Sequence, residues 1–190
     1  MSFQLCTDNR EIKFPICHSC HKPKIPNLRI WQSPSDGHCF VHCLLRAINS
    51  EYDDDPTGEA KNFRRRMTDM LSKTSKRNGQ TLYQNFGDGI LSDLGDDYSL
   101  SKLQSRFDSS ELLGDVEIQL ISYVTAIKFY ILHLETHKLY PYQIDPERKY
   151  RGSIIVLYYE NGQHFDLCYS PSKFLFTDED SEIKYLNSLT

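Results

Sequence analysis

Two short stretches carry residues that could do covalent chemistry together. Cys39 sits in Asp36-Gly37-His38-Cys39-Phe40, directly before an apolar run. Far along the chain, Asn161-Gly162-Gln163-His164-Phe165-Asp166 sets an imidazole and a carboxylate two residues apart. A cysteine at a helix start meets free N–H groups and the positive end of the helix dipole, and both favour thiolate over thiol. The same N–H groups can hold the oxyanion formed when sulfur attacks a carbonyl. Gly37 lets the backbone turn sharply and leaves space for a substrate. Such a nucleophile needs a base. Residues i and i+2 of a strand share a face, so Asp166 can take His164 Nδ1–H and leave Nε2 for the thiol. Cys39, His164 and Asp166 thus make a nucleophile, base and orienter set. Asp36 is expected at the helix cap, with a structural and oxyanion-loop role.

These residues need elements to position them. Cys39, Cys43 and Ala47 recur at i, i+4 and i+8, with Phe40, Leu44 and Ile48 as a second apolar row, so His38–Asn49 reads as a mostly buried helix. Asp55 suits an N-cap and Pro56 the first position of a second helix, with its exit at Asn78-Gly79. Its stripe is Phe63, Met67, Met70, Leu71 and Thr74, and the three arginines of FRRRM read as a solvated face. Residues 85–98, rich in Gly and Asp, read as a surface crossing. Ser99–Phe107 suggests a short helix, and Asp115 can cap another running to about Ala126. The period then changes. IKFYILHL, LYPYQI, SIIVLYYE and QHFDLCYS are β-branched and aromatic runs, and Asn161-Gly162 between the last two is a strong hairpin signal. LRIW, before the Asp-Gly turn, is a further short strand candidate. Helices first and strands afterwards give an α+β fold.

The chain has 190 residues, 39% hydrophobic and 25% charged, which is globular composition sufficient for its own core. Its 22 basic and 26 acidic residues give a net charge of −4. That excludes nucleic-acid binding by bulk charge and suits a partner with a basic face. No apolar run is long enough to cross a membrane. MSFQLCTDNREIKF has charges but no apolar core, so a signal peptide is not expected and a reducing, cytoplasmic setting is. The six cysteines therefore count as thiols or metal ligands before disulfides. Residues 1–27 form a loop-like extension with Cys6, Cys17, Cys20, His18 and His21. C-x-x-C is a zinc half-site that Cys6 and His21 or His18 could complete, but a second well-spaced pair is missing, and free thiols in an extended arm remain the other reading. A haem attachment at C-x-x-C-H has no supporting feature. Cys43 and Cys168 read as packing residues, and Trp31 as core or a wall of the site.

At these motifs the sequence resembles the ovarian tumour (OTU) cysteine proteases, most of which are deubiquitinases. Asp36, Gly37, Cys39 and Phe40 match one motif, and His164, Phe165 and Asp166 the other. GDVEIQLISYV, with Asp115 and Glu117, followed by IKFYIL, matches the central segment. The likeness covers about residues 28–170, so 28–190 is expected to be the protease domain. Phe165 and the compact length look most like viral members, whose setting would be the host cytoplasm and whose role would be evasion of host innate immunity. The resemblance implies a papain-like fold, helices on a small, mostly antiparallel sheet, with no cofactor for catalysis. It implies a monomeric isopeptidase acting on ubiquitin or ubiquitin-like conjugates, with Cys39 attacking the C-terminal glycine carbonyl, His164 as base then acid, and Asp166 orienting it. Backbone N–H groups of Asp36 and Cys39 would make the oxyanion hole. The other reading is a silent OTU-like module that binds ubiquitin or another partner without cutting. His38 and the Ser33-Pro34-Ser35 stretch depart from the family's usual residues, and the first 27 residues have no counterpart.

Overall fold

The computed structural model describes residues 25, 27–49, 52–75, 78–86, 98–143 and 149–189. In chain order the elements are β1 (Arg29–Trp31), α1 (Cys39–Ile48), α2 (Pro56–Ser72), α3 (Leu82–Phe86), α4 (Leu100–Asp108), α5 (Asp115–Thr125), β2 (Ile127–His133), β3 (Lys138–Tyr142), β4 (Gly152–Tyr159), β5 (His164–Tyr169) and α6 (Ser181–Leu189). The strands form one sheet in the order β1-β5-β4-β2-β3. Neighbours run antiparallel except β2 with β4. The exception follows from connectivity: the chain turns back through β3 on one side of β2 and returns along its other side as β4. The architecture is α+β, as the order of helical and strand patterns predicts.

Alternation along the strands divides the apolar side chains between two faces. Phe129, Ile131, Ile154, Val156, Phe165 and Leu167 pack with α1, α2, α4 and α5 in the larger core. Tyr130, Leu132, Ile155, Leu157 and Cys168 face the other way, against Ile183 and Leu186 of α6. β4 is therefore apolar on both faces, which is why it reads as an unbroken run in the sequence.

Local signals account for most boundaries. Asp55 accepts the Gly58 N–H at 3.0 Å and Pro56 opens α2. Gly114 precedes α5, and Glu117 reaches back to its N–H at 2.9 Å. α2 ends at Ser72, earlier than the expected Asn78-Gly79 exit. Gly79, at φ +69°, instead turns the chain so that Thr74 bridges Thr81. Within α2, Met70 is exposed and Arg64 takes a core position. The solvated reading of FRRRM holds for Arg65 and Arg66 and fails for Arg64. The short α3 and the terminal α6 have no counterpart among the sequence expectations.

Because α6 packs on the second face with Ile183 fully buried, Ile183→Ala should cost about 2–5 kcal/mol, as expected for truncating a fully buried aliphatic residue. Urea unfolding of the two proteins checks this. A loss comparable to that of a surface substitution would show that α6 does not anchor the sheet.

Candidate active site

Cys39 is the first residue of α1, and His164 and Asp166 lie on β5, which packs against α1. The Cys39 side chain is almost wholly buried. Burial pushes its thiol above the ordinary value, the backbone N–H groups of Phe165, Phe40 and Cys39 itself pull it back, and the Asp36 carboxylate pushes it up further. The expected thiolate-favouring effect of the first helical turn is present, but desolvation outweighs it. A buried neutral thiol makes a proton acceptor more necessary, not less.

His164 and Asp166 are joined as expected, but through the other ring nitrogen. Nε2, not Nδ1, meets Asp166 Oδ1 at 3.0 Å. Ser33 completes the set. Its N–H donates to Asp166 Oδ1 at 2.9 Å, its hydroxyl donates to the Phe165 carbonyl at 2.6 Å, and its Oγ lies 3.3 Å from His164 Nε2. With its proton given to Phe165, Ser33 Oγ can only accept from the imidazole, and a carboxylate oxygen also accepts. Both neighbours therefore require Nε2–H, leaving Nδ1 as the basic nitrogen of the neutral ring. This reverses the nitrogen roles expected from the sequence.

Asp36 does not cap α1. The N-cap residue is His38, whose side chain makes no capping bond and whose Nδ1 is buried without a partner. Asp36 Oδ1 accepts the His38 N–H at 3.0 Å, closing an Asx turn. Both its carboxylate oxygens lie 3.0 Å from Nε2 of His42, a wholly buried residue of α1. Tyr52 Oη meets His42 Nδ1 at 2.7 Å, completing a tyrosine–histidine–aspartate chain. Burial alone would raise the Asp36 carboxyl, but the His42 and His38 bonds, and the charge of both imidazoles, hold it below the ordinary value.

Gly37 joins this turn to the rest of the domain. Its φ is +83°, and a Cβ built on it would lie 2.0 Å from the Ser110 carbonyl oxygen. Only glycine allows that approach. Arg64, buried to 2% exposure, donates to the carbonyls of Gly37 (3.4 Å), Arg106 (2.5 Å), Phe107 (3.0 Å) and Glu111 (3.1 Å from both terminal nitrogens).

A cavity of about 310 Å³ adjoins the site, walled by residues 112–115, Ile118, Ile131, His133, three tyrosines and Phe165. Tyr142 Oη donates to Asp115 at its rim, at 2.6 Å. Phe165 belongs to both places. Its ring lines the cavity and packs on Phe40 and Tyr158, while its backbone meets Cys39, Cys43 and Ser33.

Cys39 and Asp36 thus stand at the start of α1, and His164 and Asp166 are joined on β5, whose Phe165 backbone meets Cys39. Ser33, His42, Tyr52 and Arg64 are the residues that the motifs did not disclose. The signal for His42 is a polar residue inside an apolar helix. Cys43 and Cys168 are fully buried, as expected of packing residues. Cys6, Cys17, Cys20 and His21 lie outside the described residues. Among the described residues, no group of three or more His, Cys, Asp or Glu could hold a metal ion.

The sequence matches no family model and no curated protein. Its fold matches solved structures. An ovarian tumor (OTU) domain in complex with ubiquitin aligns with a TM-score of 0.58 at 20% identity, over 85% of this chain and 82% of that one. The viral OTU domain protease from Taggert virus aligns at 0.54 and 17% identity, over 79% and 84%. The OTU domain of OTUD1 aligns at 0.53 and 14% identity, over 76% and 87%. The chain has the fold of OTU domains.

Two measurements follow from the geometry. Nitrogen-15 NMR of the His164 ring should show the proton on Nε2, and Ser33→Ala should raise the fraction on Nδ1; a wild-type ring protonated on Nδ1 contradicts the Ser33 arrangement. The lowered Asp36 carboxyl stabilises the fold above the unfolded value of about 3.9 and loses that effect as pH falls through the lower folded value. Wild type should therefore resist urea better than Asp36→Asn near neutrality, and the gap should narrow progressively as pH falls below the unfolded value. A gap that stays constant as the pH falls would exclude the carboxylate as its source.

Proposed function

We propose that the protein is a cysteine isopeptidase that hydrolyses the bond after the C-terminal glycine of ubiquitin or a ubiquitin-like modifier. The observation that carries this reading is the placement of Cys39, at the start of α1, on the Phe165 backbone between His164 and Asp166. The OTU fold, in a neighbour solved with ubiquitin, adds support.

The chemistry runs as follows. His164 Nδ1 takes the Cys39 proton, and the thiolate attacks the glycine carbonyl carbon. Ser33 and Asp166 hold the ring at Nε2, and Asp166 stabilises the imidazolium so formed. The oxyanion is held by the Cys39 N–H together with that of Asp36. The His38 N–H is engaged by Asp36 and does not contribute. Collapse of the intermediate breaks the C–N bond, and the imidazolium returns its proton to the leaving lysine amine. Water, activated by His164, then hydrolyses the thioester and frees the cysteine.

The ubiquitin tail is extended and ends in Gly-Gly preceded by arginines. The cavity beside Phe165 suits it, with apolar and aromatic walls for the chain and Asp115 at the rim for a basic side chain.

Cys39→Ala should abolish cleavage of a fluorogenic ubiquitin substrate and leave the circular dichroism spectrum unchanged. A ubiquitin bearing a C-terminal electrophile should label Cys39 and no other cysteine. Wild-type protein that binds ubiquitin but neither cleaves nor labels would establish the silent binding module in its place. Labelling that persists in Cys39→Ser would assign the nucleophile elsewhere.

A further inference from the structure

Arg64 is a buried cation for which the mechanism so far has no use. Among the described residues it forms no ion pair, and each of its hydrogen bonds goes to a backbone carbonyl. The carboxylates nearest in charge are engaged elsewhere. Glu117 pairs with Arg106 at 2.9 Å, and Asp108 accepts from Thr68 at 2.8 Å. Glu111 meets Arg64 through its carbonyl, not its side chain. Burying a guanidinium without a carboxylate is costly, and such costs concentrate where a fold holds a field for function.

The carbonyls also show where the charge is aimed. Those of Arg106 and Phe107 are at the C-terminal end of α4, where a cation is favourable. That of Gly37 belongs to the turn two residues before Cys39. The guanidinium therefore joins α2, the end of α4 and the 109–111 loop to the turn that starts α1. We propose that Arg64 is a second, permanent countercharge for the Cys39 thiolate, behind the His164 imidazolium, and that its fork clamps the Gly37 turn in place: a positioning residue that does not touch substrate. This rests on Cys39 being the nucleophile, and it names what favours the anion once the proton has left.

Among the surrounding charges, the His164 imidazolium on β5 favours the thiolate only while it holds the transferred proton, whereas Arg64 is charged throughout. Asp36, on the same turn, opposes a thiolate at Cys39. His42 offsets Asp36. His38, whose ring is pushed down by burial and by Arg64 itself, is a poor source of positive charge. Lys61 also acts on His38, but from an exposed position. Arg64 stays charged across the working range, because burial lowers its value and the charge of Cys39, then of Glu117, Glu111 and Asp108, raises it.

The test is the pH dependence of Cys39 alkylation by iodoacetamide in the full chain, read by mass spectrometry of the Cys39 peptide so that the other thiols do not interfere. Arg64→Gln should move the midpoint up by about one pH unit, a roughly tenfold loss of alkylation rate at neutral pH. Arg64→Lys keeps the charge and loses the fork, so its midpoint should stay near wild type while its unfolding temperature falls. A folded Arg64→Gln with the wild-type midpoint overturns the proposal, as does an Arg64→Lys shifted as far as Arg64→Gln. Should the glutamine variant fail to fold, Arg64→Met, which fills similar space without charge, takes its place: a raised midpoint supports the countercharge and a wild-type midpoint rejects it. Alkylation reads the thiol whether or not ubiquitin is the substrate, so the two readings can fail separately.

Discussion

The tight approach between Gly37 and the Ser110 carbonyl constrains everything at the site. A side chain at position 37 would meet that oxygen at 2.0 Å, and the backbone there has a φ of +83°. The turn therefore has one place to be, and α1 starts from it. Where α1 starts decides where Cys39 sits, which N–H groups face its sulfur and how closely it approaches β5. A turn this deeply enclosed must also satisfy its polar groups internally. Asp36 turns to His42 and the His38 N–H, the Gly37 carbonyl to Arg64, and Ser33, just upstream, to Asp166 and Phe165. Bonds to α1, α2 and β5 thus converge on a few residues of chain.

β5 is the other half of the arrangement. Consecutive residues serve opposite faces, so one strand supplies both chemistry and packing. His164 and Asp166 share a face, while Phe165 points into the larger core against Phe40. The Phe165 backbone meets Cys39, Cys43 and Ser33 while its ring lines the neighbouring cavity. Cavity and thiol are coupled through a single buried residue on a central strand. That is a rigid means of holding a bound chain in register with a nucleophile.

Much of the fold was legible from local pattern. The cap at Asp55, the buried start of α1, the short helix after Ser99, the change to alternating runs after residue 126 and the hairpin at Asn161-Gly162 recur as expected, while Ile48, expected in an apolar row, is exposed. The failures have physical reasons. α6 is nine residues long with two fully buried positions on the second core, too few to show a period. α2 stops before the Asn-Gly pair because a local bridge competes for that turn. Arg64 lies in a run of three arginines whose charges look alike, and only its place on the helix face sends one of them inward.

The sequence by itself determined the elements, their apolar faces and the two motifs, since these depend on periods and caps within a few residues. Residues i and i+2 of a strand must share a face, so the His164–Asp166 pair was determined too. Only the tertiary structure decided the rest. Ser33 meets His164 across 131 residues of chain, and Arg64 meets Glu111 across 47. Which imidazole nitrogen bears the proton depends on those partners, because a hydroxyl that donates to Phe165 can only accept from the ring. Whether the Cys39 sulfur is thiol or thiolate is likewise a matter of burial and surrounding charge. No spacing in the chain encodes it.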